Sequence, residues 1–257
     1  MQRSGKNIGG YFGERIDVHA VLRDTIAFAQ AHGWRIEEMS ASPDFSLSVF
    51  RRVVANAKGR IYLSAGIHGD EPAAPLAVRQ LLQENSWPAD ADVCVCPCLN
   101  PRGFERNTRT NAEGIDLNRD YRSPRSAEVR AHVAWLEQQP LFDLALCLHE
   151  DWEAHGFYVY EIVSPAHALL APRVVDAVSA VCPIDPSPEI DGRVASAGVI
   201  AIDRDPSTRP LWPEAVYLQT RGTKCTLTLE APSDFPLVTR VAALVAGARA
   251  VLDAPAL

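Results

Sequence analysis

Lysine is scarce in this chain. Only Lys6, Lys58 and Lys224 occur, so arginine supplies 22 of the 25 basic residues. Set against 32 acidic residues, these give a formal charge of −7. No basic stripe is visible, which argues against nucleic acid as a partner. Long hydrophobic runs are lacking as well. No apolar stretch reaches the roughly 18 residues of a membrane span. The opening MQRSGKNIGGYFGERID has no apolar core of the kind a secretory signal carries. The expectation is a cytoplasmic protein without a membrane partner. Internal repeats, low-complexity blocks and long charge runs are missing too, which excludes solenoids and disordered tails.

Cysteine is present but badly spaced for metal. Cys94, Cys96 and Cys98 alternate along VCVCPC, which puts three small apolar side chains on one face of a strand. That spacing matches no common zinc knuckle. Cys147, Cys182 and Cys225 are solitary, so all six read as buried free thiols.

Enough apolar material remains for a sizeable core. Hydrophobic residues make up 47 % and charged residues 22 % of 257 positions. That suits one α/β domain over 1–257, with residues 1–50 the least assigned part. Periodicity predicts helices over 14–31, 125–139, 165–181 and 236–252, and one opening at HGDEPAAPLAVRQLLQ with Pro72 and Pro75 in its first turn. Strands are predicted over 45–54, 61–66, 92–99, 142–149, 156–163 and 224–230. Residues 100–124 read as a long polar loop, and 183–222 as an excursion rich in Pro, Asp and Arg. Alternating strands and helices predict a mostly parallel or mixed sheet covered on both faces. In such sheets ligands bind beyond the carboxyl ends of the strands.

Chemistry-bearing residues gather at those ends. The strand 61–66 runs into His68-Gly69-Asp70-Glu71, the strand 142–149 ends at His149, and the strand 224–230 ends at Glu230. His68 and Glu71, three apart at a loop-to-helix junction, can converge on one point. With one distant histidine they form a His₂Glu set, which suits a catalytic zinc with an open position. Alone, such a pair is an ordinary capping glutamate and a solvated histidine; its strand-end setting gives it weight. His149 is preferred over His155, because a strand terminus holds a ligand more rigidly than the loop EDWEAHG. Glu230 beside a metal could move a proton between water and a leaving amine. Glu150, Asp151 and Glu153 either offer a second metal site or orient His149. The loop adds Arg106, Arg109, Asn118 and Arg119, types that grip a carboxylate or polarise a carbonyl.

HGDE, NPRG, TRTNAEGIDLNRDY, CLHEDW and TLTLEAP occur in the order found in zinc carboxypeptidases of the carboxypeptidase A type. From about residue 59 to 235 the chain resembles that family. It looks most like the small bacterial branch that includes murein peptide amidases, which cut the γ-D-glutamyl–diaminopimelate bond. The resemblance implies an α/β/α sandwich around a mixed, largely eight-stranded sheet. It implies zinc on His68, Glu71 and His149, with Glu230 as general base and acid. It further implies Arg109 for the oxyanion and Asn118 with Arg119 for the substrate carboxylate. The family's mobile tyrosine has Tyr217 as its nearest candidate. The expected substrate is a small peptide or amide with a free carboxylate.

Two other readings stand beside this one. Succinylglutamate desuccinylases and aspartoacylases, which deacylate N-acyl amino acids, resemble the same fold and metal site. They commonly carry an extra β-rich segment, whereas here some 27 residues follow Glu230 and read as one helix. A non-catalytic binding domain predicts loss of a strand-end group, and all are present. Manganese or cobalt could replace zinc in such a site. Residues 203–222, with Trp212 and Tyr217, form either a lid or a proline-stiffened connection.

Overall fold

The computed structural model describes residues 3–7, 11–43, 45–163, 169–202 and 209–252. Side-chain alternation along the central strand sets the layers. On β5 (Leu144–Asp151), Leu144, Leu146 and Leu148 enter one core, and Ala145 and Cys147 enter the other. Both faces are buried, as a parallel strand between two helical layers requires.

The sheet has eight strands. Its order runs β1 (Arg35–Ser42), β2 (Phe45–Arg52), β4 (Ala91–Cys96), β3 (Gly59–Ala65), β5, β10 (Cys225–Pro232), β6 (Tyr158–Val163), β9 (Val199–Ala201). The four central strands β4, β3, β5 and β10 are mutually parallel, and β2 and β6 flank them antiparallel. Helices α1 (Val18–Ala31), α2 (Ala73–Glu84), α5 (Ala171–Ser179) and α7 (Leu237–Leu252) cover the face that holds the leucines of β5. Helices α4 (Ala127–Glu137) and α6 (Glu214–Arg221) cover the opposite face. This is the three-layer α/β/α sandwich with a mixed sheet that the sequence predicts.

Local departures have local causes. The first helix begins at Val18 rather than at residue 14, because the Asp17 side chain accepts from Ala20 N and caps it. The predicted loop 100–124 contains a short helix α3 (Pro101–Arg106), capped by Asn100, and a 3-10 turn, Leu117–Arg119, capped by Asp116. The excursion 183–222 contains a small hairpin, β7 (Glu189–Ile190) and β8 (Arg193–Val194), then β9, and finally α6. Strand β1 has no predicted counterpart; only Met39 of its eight residues is buried, so no apolar alternation marks it. All six cysteines are free and buried. Cys98, however, lies beyond β4 and packs with Val18 and Phe104, away from Cys94 and Cys96. Residues 203–208 of the segment read as either a lid or a connection lie outside the described residues. Among the described residues, no helix is long and apolar enough to cross a membrane.

Because β3, β5 and β10 run parallel, their carboxyl ends share one edge of the sheet. Gly66 leaves β3 at φ +63°, a left-handed turn that favours glycine. Gly69 is needed for a different reason: a Cβ there would lie 2.0 Å from the Gly103 carbonyl carbon. The His68–Glu71 turn therefore rests directly on the backbone of α3. Gly69→Ala is expected to destabilise the protein by about 1–3 kcal/mol, the usual cost of overpacking. Denaturant unfolding measures this, and wild-type stability would show that the contact is not tight.

Candidate metal centre and active-site cavity

Glu71 sits between two histidines from different elements. His68 Nδ1 lies 2.5 Å from Glu71 Oε1, and His149 Nδ1 lies 2.9 Å from Glu71 Oε2. Ligand atoms of the three residues all fall within 4.8 Å of one another, and all three are buried. The backbone N–H of Glu150 also donates to Glu71 Oε2 at 3.1 Å. Desolvation opposes ionisation of Glu71, yet His68 and His149 outweigh it and hold the carboxyl well below the usual carboxylate range. Two imidazoles and one carboxylate converging on a point form an N/O donor set that fits a divalent cation with positions left open.

Neighbouring groups orient the set. Asp116 Oδ1 lies 3.3 Å from His68 Nε2, the ring nitrogen facing away from Glu71. Asp116 Oδ2 accepts from Arg109 Nε at 2.9 Å, and Arg109 Nη1 stands 3.8 Å from Glu71 Oε1. A carboxylate behind a ligating imidazole fixes its ring orientation and basicity. Glu150 faces the other way. Its carboxylate accepts from Ala73 N and from the wholly buried Arg240, which also reaches Glu14. Glu150 thus joins β5, α2 and α7. Among the described residues, the acidic run 150–153 forms no further metal-binding group.

A cavity of about 830 Å³ opens over these residues. Glu230 lines it and is the register partner of His149 on the adjacent parallel strand. Desolvation pushes the Glu230 carboxyl well above the usual range; His149 opposes the shift, and Glu71 and Asp151 add to it. Arg109, Asn118 and Arg119 line the cavity as well. Asn118 Oδ1 accepts from Glu214 N at 2.9 Å, so the amide orientation follows from its partner. His155 reaches the cavity wall but lies outside the three-residue cluster.

Tyr217 is placed elsewhere. It lies on α6, half-buried, with its ring against Tyr121 at 5.6 Å, and it is not among the cavity-lining residues. Tyr11, Tyr158 and Tyr160 line the cavity in its stead. Tyr158 and Tyr160 are legible as alternate residues of a strand beside β10. Tyr11 comes from the N-terminal arm, which the sequence leaves unassigned. Arg193 and Arg209 also reach the cavity, and no acidic partner is seen for either among the described residues. Arg193 comes from a short hairpin and Arg209 from the proline-rich sequence before α6, neither of which has apolar periodicity.

The chain belongs to the succinylglutamate desuccinylase/aspartoacylase catalytic domain family, whose sequence model matches residues 57–202. The matched stretch contains His68, Glu71, Arg109, Asn118, Arg119 and His149; Glu230 lies beyond it. The fold is similar to that of a "putative metallopeptidase" from Shewanella amazonensis SB2B, with a TM-score of 0.80, 23 % identity, and coverage of 93 % of this chain and 96 % of that one. A metallo-carboxypeptidase from Burkholderia cenocepacia aligns with a TM-score of 0.68 and 19 % identity over 91 % of this chain and 67 % of its own. A succinylglutamate desuccinylase/aspartoacylase from Rhodobacter sphaeroides aligns with a TM-score of 0.57 and 16 % identity over 85 % of this chain and 64 % of its own. These identities speak to fold alone. No curated protein sequence matches the chain significantly.

The donor set makes a direct prediction. Glu71→Ala removes the group that both imidazoles face, so the purified variant should hold far less divalent metal than the wild type. Emission spectrometry after purification without chelators measures the stoichiometry. Equal metal in both proteins would contradict the assignment.

Proposed function

We propose that the protein is a zinc-dependent hydrolase that cleaves an amide or peptide bond next to a free carboxylate. One observation carries the reading: Glu230, a desolvated carboxyl, shares a cavity with the His68–Glu71–His149 cluster and with Arg109. A zinc ion held by that cluster would supply Lewis-acid polarisation and a more nucleophilic water at neutral pH. Glu230 accepts the proton of the attacking water and returns it to the departing amine, work that suits a carboxyl with a raised pKa. Arg109 Nη donors stabilise the negative charge that develops on the carbonyl oxygen. Arg119 and the Asn118 amide hold the substrate carboxylate, as a fork and a point donor.

A murein-derived peptide is the substrate we favour, on the resemblance of TRTNAEGIDLNR to that branch. A second reading, deacylation of an N-acyl amino acid, has the family match over 57–202 in its favour. Arg193 and Arg209 suit a substrate with more than one carboxylate, which both readings provide. The six unpaired thiols favour a reducing compartment such as the cytoplasm.

Two measurements test the proposal. Glu230→Gln should keep its metal and lose at least about 10²-fold in kcat, the usual share of a general base; full metal with near-wild-type turnover removes Glu230 from that role. Metal-loaded enzyme should then be compared on a murein tripeptide, plain C-terminal peptides and N-acyl amino acids. Hydrolysis of a peptide substrate is expected. Exclusive hydrolysis of N-acyl amino acids would replace the first reading with the second.

A further inference from the structure

Behind the cavity lies a wholly buried polar chain that the proposed chemistry does not use. Tyr121 Oη lies 2.7 Å from His132 Nδ1, His132 Nε2 lies 2.8 Å from Tyr62 Oη, and Tyr62 Oη donates to Glu214 Oε1 at 2.7 Å. Ser64 Oγ donates to Glu214 Oε2 at 2.9 Å. None of these residues is more than 2 % exposed. Burial drives His132 down to about 3, so its ring is neutral and one nitrogen must accept. With Glu214 ionised, the assignment that satisfies every group is directional. Tyr121 donates to Nδ1, Nε2–H donates to Tyr62, and Tyr62 and Ser64 both donate to Glu214.

Glu214 is thus the terminal acceptor, and it is also the first residue of α6. Its side chain is committed to β3, the strand that leads to His68. Its backbone N–H is committed to Asn118 Oδ1 at 2.9 Å. An asparagine whose oxygen is held this way keeps its Nδ2 donors for another acceptor, and Asn118 lines the cavity. Pro213, the preceding residue, has no N–H and supplies no side-chain cap. The carboxylate of Glu214 is therefore a polar tie between the start of α6 and β3, beside the apolar packing of Ala215, Val216 and Leu218.

We propose that Glu214 is a positioning residue: through Tyr62 and Ser64 it holds the first turn of α6 against β3, and so keeps Asn118 Nδ2 aimed at the substrate carboxylate. This rests on the reading that Asn118 binds that carboxylate. A residue that served stability alone would lower the melting temperature and leave substrate preference untouched.

The test pairs kinetics with a structure. Glu214→Ala should raise KM about tenfold for a free-carboxylate substrate, the scale of one mispositioned charge-assisted hydrogen bond. It should leave kcat within about twofold, because the transition-state groups are not displaced. The C-terminal carboxamide of the same substrate should show no such rise, and Glu214→Ala/Asn118→Ala should be no worse than Asn118→Ala. A crystal structure of Glu214→Ala should show the Asn118 amide rotated away from residue 214 N. Unchanged KM with an unmoved amide overturns the proposal, as does full additivity with Asn118→Ala. If the amide moves but no carboxylate substrate is turned over by the wild type, positioning stands and the substrate reading fails. Should Glu214→Ala not fold, Tyr62→Phe and Ser64→Ala each remove one donor. Each should then raise KM by a smaller factor on the free-carboxylate substrate alone, and no rise in either overturns the proposal.

Discussion

Everything at this site depends on the Glu71 carboxylate. It lies just before α2, yet it faces one imidazole from the turn after β3 and another from the end of β5, and it accepts the Glu150 N–H. Burying a carboxylate is expensive unless it is paired and hydrogen-bonded. Here the paired groups are those that would share a cation with it. A divalent ion held there would balance the Glu71 charge directly. The supports are long-range. Gly69 lets the turn sit on α3, Asp116 holds the far side of His68, and Arg240 anchors Glu150 next to His149.

The cavity is organised by charge around that centre. Desolvated Glu230 occupies one wall, as register partner of His149. Arginines line it as well, among several carboxylates, and Arg109 reaches toward Glu71 while its Nε is tied to Asp116. Such fixed donors act without reorganisation when charge develops on a bound carbonyl. The buried chain that ends at Glu214 gives the Asn118 amide a set orientation, linking β3, α4 and α6 behind the cavity.

Much of this is legible in the sequence for a physical reason. A parallel α/β sheet presents its strand ends together, so His68, His149 and Glu230 can be assembled from strand assignments alone. The alternation on β5 and β10 shows which face each ligand shares. What stays hidden depends on partners far along the chain. Arg240 looks like a solvent-facing arginine in a helix, and only Glu150 and Glu14 explain its burial. Helix α6 lacks a long apolar stripe, although Pro213 before it and Gly222 after it, at φ +109°, punctuate it. Tyr217 packs half-buried against Tyr121, a contact with no local signal. Strand β1 is an edge strand with little to bury.

The central claim is that His68, Glu71 and His149 hold one divalent metal opposite Glu230. Anomalous diffraction from a crystal of metal-loaded protein tests it most directly. The account predicts one strong peak coordinated by Nδ1 of both histidines and by the Glu71 carboxylate, inside the cavity that Glu230 lines. A fully loaded crystal whose anomalous peak lies away from these three side chains would contradict it.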